Sequence, residues 1–209
     1  MAAVAVYAVV IIASYLYGAI PWGLIIGRAS RGIDVRQHGS GNIGFANVQR
    51  SIGLPLALLV LAGDISKGVL PVLVSRLLWD DPNLQVAGAI AAVAGHTWPV
   101  YLRFRGGKGV ATAAGAVITV APGPASAVAA IALLFMFISR YVSLTVLIFA
   151  PILSALMLAL ALFGLTQYAY FVYVAAATAI IFYRHRENIQ RLRAGTEAKL
   201  GQPLRKKAL

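Results

Sequence analysis

Residues 110–139 read VATAAGAVITVAPGPASAVAAIALLFMFIS, thirty positions without a charged side chain, interrupted only at Ala121-Pro122-Gly123-Pro124. How that interruption is read decides the fold. As a true break it divides the stretch into two helices, 108–121 and 123–139, each near the lower limit for crossing a bilayer, where about 20 apolar residues are usual. As a mere kink it leaves one helix and puts both termini on the same side of the membrane. The Pro-Gly-Pro sequence favours the break. With it, seven apolar segments follow one another at about 2–27, 54–75, 84–101, 108–121, 123–139, 141–163 and 166–183.

The 209-residue composition supports this reading: 60% of residues are hydrophobic, 11% are charged and the mean hydropathy is +0.83. Soluble domains carry about 25% charged residues, so a soluble globular domain is excluded, and so is a disordered chain. The expected fold is an all-α integral membrane protein in which residues 1–209 form a single domain. The first segment has no Lys or Arg ahead of its apolar stretch and is too long for a signal peptide, so it is expected to be retained as a span. The absence of cysteine removes disulfides, thiolate nucleophiles and Cys-ligated metals.

Charge sets the orientation. Arg28, Arg31, Arg36 and Arg50 fall in the first loop, Arg103, Arg105 and Lys108 in the third, Arg140 in the fifth, and eight basic residues follow position 183. With seven spans all of these share one face, and the opposite face has only Arg76 beside Asp80 and Asp81. Basic residues are retained in cytoplasmic loops, so the N-terminus is expected outside and the C-terminus in the cytoplasm. A formal net charge of +12 confined to short connections should attract anions.

Four segments carry chemistry. In the first loop, Gly39-Ser40-Gly41-Asn42-Ile43-Gly44 precedes Asn47 and Arg50; glycines permit close backbone approach, exposed amides bind phosphate, and Arg grips it bidentately. A flexible polar loop with helix caps is the alternative. Asp64 and Lys67, three apart inside the second span, are either an internal ion pair or a substrate contact. The third loop, Gly106-Gly107-Lys108-Gly109 ahead of an apolar helix, makes an anion site with a mobile cation. It is not a Walker A loop, because Leu102 and Gly109 stand where that motif needs Gly and Ser or Thr. After the last span come His185, Asn188 and Glu197 among basic residues; Arg184, Arg191 and Arg193 are expected to lie along an anionic membrane surface. No stacking platform accompanies these charges, so a nucleic-acid partner is not expected. A transporter for a small anion would use buried charges equally well, but its site belongs near the midplane, whereas these motifs sit at helix ends.

Together these segments resemble the bacterial glycerol-3-phosphate acyltransferases of the PlsY family. The resemblance rests on GSGNIG with Asn47 and Arg50, on DxxKG at Asp64 to Gly68, on GHxxPxxxxFxGGKGVAT from Gly95 to Thr112, and on HRxNIxRLxxGxExKxG from His185 to Gly201. One departure is Ala46, where a Thr is expected, so position 46 is assigned no substrate contact. The resemblance implies transfer of a fatty acyl group from acyl phosphate to the 1-hydroxyl of glycerol 3-phosphate, giving lysophosphatidic acid and phosphate, the first acylation step of phospholipid synthesis. It further implies a bacterial inner-membrane enzyme acting at the cytoplasmic face, near membrane lipids and the enzyme that makes its donor. Ser40, Arg50, Lys108, His185 and Asn188 are the expected catalytic residues. Gly39, Gly41, Asn42, Asn47, His96, Gly106, Gly107, Gly109, Thr112 and Glu197 are the expected substrate-binding residues, with neither metal nor cofactor. Soluble-type glycerolipid acyltransferases use a His followed five residues later by Asp. The residues five after His38, His96 and His185 are Ile43, Tyr101 and Gln190, so that dyad is absent and direct transfer from an activated mixed anhydride is expected.

Overall fold

The computed structural model describes residues 2–202, and among these it is entirely helical with loops. The basic residues Arg205, Lys206 and Lys207, counted above with the cytoplasmic side, lie outside the described residues. Ten α-helices follow in order: α1 (Ala2–Gly18), α2 (Trp22–Arg31), α3 (Phe45–Ile52), α4 (Leu54–Trp79), α5 (Pro82–Thr97), α6 (Val110–Val120), α7 (Pro122–Ser139), α8 (Val142–Leu162), α9 (Tyr168–Arg184) and α10 (Arg186–Arg193). Four stretches are long and apolar enough to cross a membrane: Ala2–Arg31, Leu54–Trp79, Pro122–Ser139 and Val142–Leu162.

The segments depart from the expected bounds for local reasons. The first is two helices rather than one, because Pro21 has no amide hydrogen to continue α1, and α2 then runs on to Arg31. The third ends at Thr97 instead of 101, since Trp98 caps it and Pro99 precedes a 3₁₀ turn over Val100–Leu102. The fourth starts at Val110 because Gly109, at φ +79°, takes the left-handed conformation that stops helix growth. It is only 11 residues long. The expected break at 121 is present: Ala121 is the non-helical residue between α6 and α7.

Side-chain contacts fix which helix ends lie together. Tyr7 donates to Asp81 (2.7 Å) and Tyr170 to Gln85 (3.0 Å) at one end. At the other, Lys108 meets Asn188, Ser143 donates to Glu197 (2.7 Å), and the Leu200 amide donates to the Arg140 carbonyl (2.7 Å). Residues 108 and 140–143 are therefore at the same end, so α6 and α7 form an out-and-back hairpin.

Helices pack on small residues, as in membrane bundles where close backbone approach replaces the hydrophobic driving force. A methyl group on Gly68 would run into the Thr112 carbonyl, and one on Gly115 into that of Ile65, so α4 and α6 touch backbone to backbone. Gly18 against Ala92 and Gly95 against Tyr15 do the same for α1 and α5. The largest apolar cluster joins α4, α5, α6, α7, α8 and α9 around Val72, Val93, Ala116, Ala125, Met157 and Tyr173.

Candidate active site

A cavity of about 960 Å³ opens at the end of the bundle where Lys108 and Asn188 meet, lined by the first loop, α3, the start of α4, Lys108, the end of α9, and α10. Its wall carries Ser40, Asn42, Arg50, Lys108, Arg184, Arg186, Asn188 and Arg191, an excess of cations around neutral hydrogen-bonding groups.

The first loop is folded by its own asparagines. Asn47 is buried; its Oδ1 accepts from the Ser40 amide (2.8 Å) and its Nδ2 donates to the carbonyls of Val35 (2.9 Å) and Asn42 (2.8 Å). Asn42 Oδ1 accepts from the Gly44 amide (2.9 Å). Gly39 and Gly41 take positive φ values of 56° and 69°, and a side chain at Gly39 would strike Asn47 Oδ1. These constraints present Ser40 to the cavity. Arg50 reaches Ser40 Oγ at 3.4 Å, while its Nε is buried without a partner. Burial lowers the Arg50 pKa and Arg191 adds to this, while Glu197 opposes it.

The second wall is the glycine loop. The Gly106 and Gly107 amides donate to the Thr97 and His96 carbonyls (3.2 and 3.0 Å). The Gly106 and Gly107 carbonyls accept from the Arg184 guanidinium (2.9 and 3.2 Å). The loop is thus strapped between α5 and α9, with Lys108 between them and the N-terminus of α6 beneath Gly109. Burial pushes the Lys108 ammonium down to about 8, with Glu197 opposing and Arg191 and Arg50 adding to the shift.

The third wall is a polar chain. Lys108 Nζ donates to Asn188 Oδ1 (2.5 Å), Asn188 Nδ2 to Glu197 Oε1 (2.6 Å), and Arg191 Nε to Glu197 Oε2 (2.7 Å). Burial tends to raise the Glu197 pKa, but hydrogen bonds from Ser143, Asn188 and Arg191 outweigh it and hold the carboxyl below its ordinary value. His185 is buried, and its Nδ1 pairs with the Ile181 carbonyl (2.8 Å). Burial and the neighbouring Lys108 charge push it down to about 4.

The structure gathers Gly39, Ser40, Asn42, Arg50, Lys108 and Asn188 on the cavity wall. Gly41, Asn47, Gly106, Gly107, Gly109 and Glu197 shape the wall from behind. His185 lies beside it. His96 and Thr112 are fully buried below it: Lys67 bonds Asp64 (2.7 Å) and His96 Nδ1 (3.2 Å), and Thr112 Oγ1 donates to the Asp64 carbonyl (2.9 Å). Asp64 and Lys67 are therefore an internal ion pair away from the lining. Several expectations are corrected. Asn47, His96 and Thr112, expected to bind substrate, are instead bonded within the fold. Arg184 and Arg191, assigned to the membrane surface, face the cavity instead. The signal was present, since 184, 187, 188 and 191 recur at helical spacing as one polar stripe. His38, Gln49 and Ser51 also line the cavity, and only their proximity to the glycines hinted at it.

An apolar cleft of about 190 Å³ lies between α6, α7, α8 and α9, from Val110 and Ile181 at the site end to Val117 and Ala125.

Fold and site together define a helical membrane protein that gathers anion-binding groups at one end of its bundle. The family described as Glycerol-3-phosphate acyltransferase matches residues 8–195. The chain is 44% identical to the glycerol-3-phosphate acyltransferase of Rubrobacter xylanophilus over 197 residues (91% of this chain, 94% of that protein) and 37% to that of Bacillus subtilis (92% and 97%). It superimposes on the crystal structure of PlsY (YgiH), an integral membrane glycerol 3-phosphate acyltransferase, in its glycerol 3-phosphate form with a TM-score of 0.85 and 36% identity, covering 93% of this chain and 96% of that one. On the lysophosphatidic acid form the TM-score is 0.81 at 34% identity (92% and 94%). The chain belongs to the glycerol-3-phosphate acyltransferase family and is an enzyme.

Proposed function

We propose that this single-domain protein transfers a fatty acyl group from acyl phosphate to the 1-hydroxyl of glycerol 3-phosphate, releasing lysophosphatidic acid and phosphate. The observation that carries the reading is the cavity, in which two separately built cationic walls, at Arg50 and at Lys108, face one space. Both reactants carry phosphate. The apolar cleft beginning at Val110, two residues from Lys108, suits the acyl tail.

In this reading Ser40, Asn42 and Arg50 hold glycerol 3-phosphate while Lys108 and Asn188 face the donor. The 1-hydroxyl oxygen bonds to the carbonyl carbon, the carbon–oxygen bond to phosphate breaks, and the hydroxyl proton goes to the departing phosphate, whose second pKa is about 6. Lys108 stabilises charge developing on the tetrahedral carbonyl oxygen. His185, pushed down to about 4, is neutral and weakly basic, which fits the phosphate as proton acceptor.

The chain crosses the bacterial inner membrane seven times, by α1, α4, α5, α6, α7, α8 and α9, with the N-terminus outside and the cavity facing the cytoplasm. The α6–α7 hairpin and the crowding of basic loops at the cavity end support this. The test is purified protein supplied with acyl phosphate and glycerol 3-phosphate and scored for lysophosphatidic acid. Acyl-CoA should be a far poorer donor, and equal rates with both donors would refute the assignment.

A further inference from the structure

The interior cluster below the cavity touches no lining residue through its charged atoms. Asp64, Lys67 and His96 are nonetheless fully buried in the bundle, where an ionisable group is costly unless it serves something. Asp64 Oδ1 and Lys67 Nζ stand 2.7 Å apart, Lys67 Nζ is 3.2 Å from His96 Nδ1, and His96 Nδ1 is 3.4 Å from Asp64 Oδ1. Lys67 and Asp64 both meet the ring at Nδ1, so its Nε2 edge points away from the pair. That ring edge abuts Gly107: a methyl group there would overlap His96 Nε2. The Gly107 amide also donates to the His96 carbonyl (3.0 Å). The cluster therefore fixes both the ring and the backbone on which the glycine loop rests, one residue before Lys108.

We propose that Asp64, Lys67 and His96 are positioning residues that set the height of Lys108 by holding the ring of His96 as a platform for Gly107. They contact neither reactant. Asp64 and Lys67 hold the ring in orientation, and Thr112, bonded to the Asp64 carbonyl, ties the same point to the first turn of α6. If the ring tilts, the strap sinks and Lys108 leaves the bond to Asn188.

The variant His96→Asn separates positioning from stability, because the Asn amide reaches the place of Nδ1 and still accepts from Lys67 but leaves nothing against Gly107. Its melting temperature should stay within a few degrees of wild type while kcat falls about 10²-fold, the effect expected of a displacement near 1 Å, with KM for glycerol 3-phosphate changed less than about threefold. A readout independent of turnover is the pH dependence of acetylation at Lys108, followed by mass spectrometry. Its midpoint, about 8 in the wild type, should move up toward the ordinary 10.5 as the amine is released. The charge-free pair Asp64→Asn with Lys67→Met should show the same two effects, since neutral groups of similar size replace a buried pair tolerably. Unchanged kcat and an unchanged midpoint in either folded variant would overturn the proposal. So would failure of both to fold, which would make the cluster a stability element alone. The turnover arm rests on the reading of the reaction given above. A wild-type protein that makes no lysophosphatidic acid, yet whose Lys108 midpoint shifts in the variants, would refute that reading and leave the positioning intact.

Discussion

Removing the charge of Lys108 should make the protein more stable and nearly inactive. Burial holds its ammonium at about 8 instead of the ordinary 10.5, and each pKa unit corresponds to about 1.4 kcal/mol, so desolvating this cation costs about 3 kcal/mol at neutral pH. Lys108→Met removes that cost and also the bond to Asn188, which is worth roughly 1 kcal/mol. The net gain is about 2 kcal/mol, a rise of a few degrees in melting temperature for a chain of this size. The sign with pH follows from proton counts. Between about 8 and 10.5 the unfolded chain keeps this proton and the folded one has lost it, so wild-type stability rises across that window, and in Lys108→Met this contribution vanishes. Activity moves the other way: loss of a donor to the developing oxyanion should lower kcat about 10²- to 10³-fold. Thermal melts in detergent at neutral and alkaline pH, beside turnover of acyl phosphate, measure both. A Lys108→Met protein that melts below wild type, or turns over within about tenfold of it, would refute the picture of a desolvated cation that serves catalysis.

Glu197→Gln keeps the hydrogen-bonding shape but removes a charge that favours the Lys108 ammonium, so the alkaline limb of the rate profile should move below about 8; a limb that stays put or rises counts against it. Ser40→Ala should lower the rate, and wild-type protein quenched during turnover should carry no acyl ester at Ser40; a competent adduct found by mass spectrometry would make Ser40 a nucleophile. Cysteines introduced into this Cys-free chain at Arg105 and Thr196 should be labelled only from the cytoplasm and one at Asp80 only from outside. The opposite result at Thr196 would restore the six-span count. A chelator should leave turnover unchanged, and activity restored by adding a divalent ion would overturn the metal-free mechanism.

Much of the fold was legible because hydropathy and proline placement are local. The break at Ala121 to Pro124, the long α4 and α8, and the collection of basic residues into a few loops all follow from composition within a window of residues. The bounds of α5 and α6 were not legible to the same degree. Apolar residues continue past Thr97 to Leu102, so hydropathy extends α5 beyond the turn at Pro99, and the expected start of α6 at 108 took in Lys108 and Gly109, where the left-handed Gly109 delays the helix to Val110. At the site, the glycine loops and Lys108 declared themselves by sequence, but roles depended on pairing across the chain. Asn47, taken as a substrate contact, is used up folding its own loop, and Arg184 is a strap for a loop 77 residues away in sequence. His96 was expected to bind substrate because it belongs to the Gly95–Thr112 motif on which the family resemblance rests. Only the packing shows that it sits beneath the glycines.

The short helices have a physical reason. At 1.5 Å per residue, the 11-residue α6 is about 16 Å long, roughly half the 30 Å of a hydrocarbon core. Its first turn meets α4 at Asp64, through the bond from Thr112, and Asp64 lies about 15 Å along α4 from Leu54. Lys108 is thus recessed, with the first turns of α4, helix α3 and the segment from Arg184 through α10 rising around it as walls. In the proposed reaction, a water-soluble glycerol phosphate and a lipid-borne acyl phosphate share one reaction centre only if the charged partner descends or the acyl carbonyl rises. A recess walled by Arg50, Arg184, Arg186 and Arg191 lets the anion descend without leaving a polar surface. The cleft between α6 and α9 lets the carbonyl stay at the depth of its chain. The same recess explains the cost carried by Lys108: a cation placed at that depth is poorly solvated until a phosphate arrives, and its interaction with that phosphate is correspondingly stronger in the low local dielectric.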